Sequence, residues 1–466
     1  MSYKIPQNGL KRKLGLFPVT NIVIANMIGT GIFTMSGLLM GDLNHPLLMV
    51  ALWLVGGIIA LCGALSYGEL GAAYPQAGGE YTFLSKLYHP MLGFLSGWIS
   101  FIVGFSAPIA AASIGFSEYF VSAFPGIMEW GNSIGITNPL LIKRGISIIV
   151  ILSFTSVHLK GIEFGALIQN SLTLLKIVLI GGLLLLGFSI GKGNWEHFAQ
   201  ARPFSFQFSN WKTLGLSVMW IMFAYSGWNA STYIGSEIKN PGKTLPRSLL
   251  LGTGIVVFLY MLLNILYVYA VPPEEMKGVI SIGGLAVGHL FGESWGRIFS
   301  LFIAVALFSS ISAYIILGPR IYYAMARDGY FFRFVSKVSE RSGVPTKSIM
   351  LQCAISIIMV MSGTFDQILT YMGFSLGIFP ILAVIGVFKL RTTQKSEYRM
   401  PGFPVIPLIY ILAGVSILCL AYLERPVEST IALGTVLVGI PAFFLFKKYS
   451  GSSDEKTGEK SNPQQD

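Results

Sequence analysis

Residues 16–39, LFPVTNIVIANMIGTGIFTMSGLL, form an apolar run long enough to cross a bilayer, with Gly29, Thr30 and Gly31 near its middle. A spanning helix takes roughly 20 apolar residues, and two glycines around a β-branched residue are weak helix formers to set at its centre. The helix is therefore expected to break there. Peptide groups freed at membrane depth must find polar partners, which lipid tolerates only where the backbone lines a cavity or grips a ligand. The remaining chain must supply enough spans to keep that break away from lipid.

Composition shows that it can. The 466 residues are 53% hydrophobic and 11% charged, whereas soluble domains carry about a quarter charged residues. This excludes an ordinary soluble domain and defines an all-α integral membrane protein. Roughly twelve apolar spans follow one another, over 16–41, 47–73, 91–123, 139–157, 163–189, 212–236, 247–271, 286–326, 348–362, 366–390, 404–424 and 428–447. An even number puts both termini on one side. The loops, tails and span ends of that side hold 23 of the 32 basic residues and those of the opposite side 8, the remaining one being Lys176, deep inside a span. The positive-inside rule then places both termini in the cytoplasm of a cell that carries the chain in its plasma or inner membrane. The formal charge of +11 is a matter of topology, and nucleic acid is not an expected partner.

Span six carries a second irregular stretch. In WIMFAYSGWNASTYIGSEI, residues 220–238, Ser226, Gly227, Asn229, Ser231 and Thr232 interrupt an apolar run. Five crossings separate spans one and six, so the two run in opposite directions. Breaks in corresponding spans of two oppositely oriented five-helix halves are the mark of an inverted-repeat carrier with its site between the repeats. The plainer alternative is that small residues merely let helices pack closely. The expected organisation is a cytoplasmic tail (1–15), a first repeat (16–189), an extracellular loop (190–211), a second repeat (212–390), two further spans (391–447) and a disordered cytoplasmic tail (448–466).

Lys176 lies in IQNSLTLLKIVLIGGLLLL, residues 168–186. It is some twelve residues from either end of its span, roughly 18 Å at 1.5 Å per residue, too far for its ammonium to reach water. An intramembrane lysine reads by default as facing the bundle interior on an ion or proton pathway. A purely structural lysine bonded to helix-end carbonyls is the other reading. No H-E-x-x-H pattern, nucleotide-phosphate loop or spaced cysteine ligand set occurs, so neither metal, cofactor nor enzyme chemistry is expected. The basic start leads into span one without an A-x-A-like cleavage site, and Cys62, Cys353 and Cys419 all fall inside spans.

Several strings together resemble the amino acid, polyamine and organocation superfamily, and within it the L-amino acid transporter branch. They are IGTGIF, GELGAAYPQAGGEY (68–81), FAYSGWN leading into SEIKNPGKTLPRSL, GPRIYYAMARDG followed by GVP, and YRMPGFPVIPLIY. The resemblance covers nearly the whole membrane domain in order. It implies a 5+5 inverted repeat with helices one and six broken, two C-terminal helices, and alternating-access transport of amino acids. By that resemblance the substrate carboxylate would sit on the amides of Thr30, Gly31 and Ile32, where a half-helix N-terminus offers unpaired donors. The α-ammonium would meet carbonyls around Ile24, Ala25, Ile28 and Phe223. Phe223, with Ala224 and Ser226 beside it, would form an aromatic gate, and Asn229 would steady the second break. Lys176 would stand where distant relatives bind sodium, linking the break at Gly29 to Ser310. Sodium-independent exchange of neutral L-amino acids follows, with proton symport, a polyamine or organic-cation carrier, and a non-transporting amino acid receptor as open alternatives. The loop 124–138 lacks the cysteine that eukaryotic members use to join a heavy chain, so no such partner is expected. Glu69 and Glu237 are candidates for an inner gate salt bridge, and Glu118 for attracting a cationic side chain, with ordinary loop or solvent contacts as the alternative.

Overall fold

A computed structural model describes residues 12–76, 78–159, 162–200, 207–327, 329–332, 335, 339, 344–393 and 397–458. Among these residues nine helices are long and apolar enough to cross a membrane, and shorter apolar helices fill most of the remaining expected positions. Each of the twelve expected spans coincides with a helix or an interrupted pair of helices. Lys160 and residues 1–11 lie outside the described residues.

The two interruptions differ. In span one, half-helix 1a (Leu16–Met27) ends, Ile28 and Gly29 are non-helical, and half-helix 1b (Thr30–Leu43) begins. The break is thus earlier and narrower than the tripeptide Gly29, Thr30, Gly31: Gly31 is inside a helix. Its function there is steric, since a Cβ on Gly31 would sit 2.5 Å from both Cα and Cβ of Ala224. In span six, half-helix 6a (Phe208–Ala224) is followed by five turn residues and a 3₁₀ segment, 6b (Ala230–Glu237), in place of a second α-helical half. Gly227 turns this loop with φ +96. Thr232 Oγ1 donates to the Asn229 carbonyl at 2.7 Å, a local bond that competes with α-helical pairing.

Three further boundaries depart from the sequence reading. The eighth span starts at Glu293, because Gly292 (φ +102) separates it from a short helix over Ile282–Phe291 in the preceding loop. The third carries a π-turn over Ser100–Gly104. The last helix continues to Gly458, past the expected end at 447, so residues 448–458 are not irregular; once nucleated, a helix adds residues at little cost. Residues 459–466 lie outside the described residues.

Span one is held differently at its two ends. Every residue from Thr30 to Gly37 is buried. The Tyr119 hydroxyl of span three donates to the Phe33 carbonyl and accepts the Gly283 N–H at 2.9 Å. Ser36 donates to Asn264 at 2.6 Å, and Gly278 N–H to the Gly37 carbonyl at 2.8 Å. Half-helix 1a is looser, with Asn21 exposed and Ile24, Ala25 and Asn26 half-buried. Its start is tied to the end of 6b, where Leu14 and Ile238 form a parallel bridge and the Glu237 carbonyl accepts the N–H groups of Lys13 and Leu14.

Candidate functional site

Breaking span one exposes carbonyls at the end of 1a and N–H groups at the start of 1b, the unpaired groups of two helix termini. The protein supplies partners to the first set from two sides. Lys176 Nζ, 2% exposed, donates to the Ile28 carbonyl at 2.8 Å and to Ser310 Oγ at 2.9 Å. From span seven, the Tyr260 hydroxyl lies 2.6 Å from the Met27 carbonyl and 3.3 Å from that of Ala224, so one side chain bridges the ends of 1a and 6a. The ammonium faces the negative end of the 1a dipole, which offsets part of the cost of burying it.

The start of 1b is treated otherwise. Gly29 at its N-cap position has no side chain to accept from the first turn, so no capping hydrogen bond is made. Thr30, Gly31 and Ile32 are the first three helical residues, all buried. Such a terminus is a ready anion site.

The second break is staked by aromatics. Tyr225 donates to the Trp53 carbonyl at 3.1 Å and packs against Trp53 and Tyr260. Trp228 lies edge-on to Tyr67, ring centroids 4.7 Å apart. Between them Gly227 meets the end of 1a: a Cβ there would be 2.8 Å from the Asn26 carbonyl carbon and oxygen. The two breaks therefore touch directly, and a positive φ and a close approach both call for glycine at 227.

The structure brings together Ile28, Lys176 and Ser310, and separately Gly31 and Ala224. Ile24 and Ala25 are half-buried along 1a, while Ser226 and Asn229 are half-buried in the open stretch. Phe223 is 8% exposed at the end of 6a, and its carbonyl accepts the Ser226 N–H at 2.8 Å. Asn229 donates its amide to the Glu80 carboxylate at 2.5 Å. Two residues that tie the breaks to their surroundings carry no role in the sequence analysis. Tyr260 belongs to a polar stripe with Asn264 and Tyr267, spaced i, i+4, i+7 in an apolar span, a pattern legible beforehand. Glu80 stood inside a quoted motif.

Two of the three other acidic candidates are paired. Glu69 accepts two hydrogen bonds from Arg391, at 2.8 and 2.7 Å, and the Met400 N–H at 2.9 Å, joining span two to the end of span ten. Glu118 pairs with Lys143 at 2.7 Å. The Glu237 side chain makes no ion pair among the described residues.

Two broken helices that touch inside a bundle of membrane-length apolar helices, one of them with an uncapped N-terminus, have the architecture of a multi-pass permease. The family model described as amino acid permease matches residues 14–439, and the chain belongs to that family. Among its relatives, the serine/threonine exchanger SteT of Bacillus subtilis (strain 168) is 28% identical over 454 residues, 96% of this chain and 99% of that protein. The large neutral amino acids transporter small subunit 2 of Homo sapiens is 26% identical over 450 residues, covering 94% of this chain and 80% of its own. The b(0,+)-type amino acid transporter 1 of Mus musculus is 26% identical, covering 96% and 90%.

Proposed function

We propose that the chain carries neutral L-amino acids across the cell membrane by sodium-independent exchange, through alternating access. The observation that carries the reading is the Lys176 ammonium between the Ile28 carbonyl and Ser310 Oγ. A fixed cation there supplies the positive charge that joins the first break to spans five and eight, so no dissociable sodium ion is needed. The carboxylate of a zwitterion binds the first-turn amides of Thr30, Gly31 and Ile32, and its ammonium meets carbonyls near Ile24, Ala25, Ile28 and Phe223. Those of Ile24, Ile28 and Phe223 each already hold one donor, leaving one lone pair. Phe223, flanked by Ala224 and Ser226, closes over the ligand, while Gly29 and Ser310 keep the break in register with Lys176.

Burial of 1b against half-exposure of 1a supports a resting arrangement sealed on the far side and open toward the termini, taken as cytoplasmic. The loaded carrier crosses its occluded state more readily than the empty one, since substrate completes the freed backbone groups, and this favours exchange. The chain acts without a disulfide-linked heavy chain. Purified protein in proteoliposomes tests the reading with labelled amino acid. Uptake should need internal amino acid and be the same in sodium and potassium salts; uptake into empty vesicles that rises as external pH falls would replace exchange with proton symport.

A further inference from the structure

The GELGAAYPQAGGEY motif delivers a carboxylate that the transport reading does not use. Gly78 and Gly79 take φ +124 and +52, and the Tyr233 ring lies where a Cβ on Gly79 would be, 2.6 Å from its nearest atom. Only glycine fits both the conformation and the contact. The turn starts a short helix, Glu80–Leu87, with Glu80 as its first residue, 5% exposed. Glu80 Oε1 accepts from the Tyr67 hydroxyl at 2.9 Å and from Asn229 Nδ2 at 2.5 Å, and Oε2 accepts from the Tyr233 hydroxyl at 2.5 Å. All three donors are neutral. Among the described residues no lysine, arginine or histidine forms an ion pair with it.

We propose that Glu80 is a positioning residue that, through Asn229, makes the site select ligands bearing a charged α-amino group. A carboxylate only accepts, so it fixes the Asn229 amide with nitrogen toward Glu80 and oxygen away. Asn229 Oδ1 takes no hydrogen bond from any described residue. Asn229 ends the open stretch of span six, two residues from Gly227, which lies against the last turn of 1a. An acceptor backed by a negative charge without a cationic partner thus stands where the two breaks meet. It complements an ammonium and repels a carboxylate, whereas the N-terminus of 1b does the reverse. The pair of poles fixes the orientation of a zwitterion. Replacing the carboxylate with an amide frees Asn229 to flip and removes the charge behind it.

The inference rests on the proposed transport of amino acids, and its test separates the two. The full-length protein is screened with the twenty amino acids by thermal shift. The strongest binder is then compared with the 2-hydroxy acid bearing the same side chain, in competition binding in detergent and in proteoliposome flux. The wild type should prefer the amino acid. In Glu80→Gln and Asn229→Ala this preference should fall about 10-fold or more, mainly through KM, as expected for losing a hydrogen bond to a charged group. A merely structural role lowers the active fraction and leaves the ratio unmoved. An unchanged ratio in correctly folded Glu80→Gln overturns the proposal; if that variant does not fold, an unchanged ratio in Asn229→Ala does. A wild type that binds amino acids but carries none refutes transport, while the binding ratio still decides the role of Glu80. A wild type that binds no amino acid refutes both.

Discussion

Lys176→Met removes the ammonium but keeps most of the side chain's length and volume. Two hydrogen bonds disappear, those to the Ile28 carbonyl and to Ser310 Oγ at 2.8 and 2.9 Å. Hydrogen bonds to charged groups contribute about 1.5–3 kcal/mol each, so the two together are about 3–6 kcal/mol in favour of the native arrangement. Against this, burying an ammonium costs several kcal/mol, which the methionine avoids. The terms nearly cancel, and stability in detergent should change by no more than about 2 kcal/mol, or a few degrees in Tm. Transport lacks that compensation. If the tether holds the end of 1a against span eight only in the closed and loaded states, its loss raises their free energy by about 3 kcal/mol and slows exchange about 100-fold. The assay is exchange of labelled amino acid in proteoliposomes, with Tm measured on the same preparation. Methionine-variant exchange at the wild-type rate would refute the assigned role, and a collapse of Tm with no folded protein would refute the cancellation.

Four other outcomes follow from the geometry. Gly29→Ala should be well tolerated in folding, because its φ is −126 and the nearest atoms to a Cβ are 3.7 Å away, whereas Gly31→Ala, with Ala224 at 2.5 Å, should cost about 1–3 kcal/mol or more in thermal or chemical unfolding. Tyr260→Phe leaves the Met27 carbonyl without its donor and should lower stability by about 1–3 kcal/mol and slow exchange more than it weakens binding, as read by a kcat-against-KM comparison. Arg391→Met strands the buried Glu69 carboxylate and should lose about 3–5 kcal/mol in unfolding; adding Glu69→Met should recover much of it. Lys143→Ala breaks a half-exposed ion pair and should shift Tm little, by about 1 kcal/mol or less.

Much of this protein is legible in its residues because the bilayer enforces simple rules. Apolar length fixes where helices run, and the cost of unpaired peptide groups marks 29–31 and 226–232 as irregular. The buried position of Lys176 is equally plain, since no water lies within reach of its side chain. The motif strings add the family. What failed was local detail: Gly31 reads as a helix breaker but is a helical residue made small by Ala224, and Gly29, which does sit in the break, needs no special conformation there.

The amino-acid order by itself determined that the chain holds about twelve apolar spans, breaks two of them and buries one lysine, because each follows from local hydropathy and backbone chemistry. Only the tertiary structure decided which carbonyl the lysine meets, that Tyr260 clasps the ends of both half-helices, and that Glu80 takes the amide of Asn229. Those partners lie 36 to 233 residues apart in the chain. Their meeting depends on helix tilt, rotation and side-chain packing, quantities summed over the whole bundle and carried by no single segment.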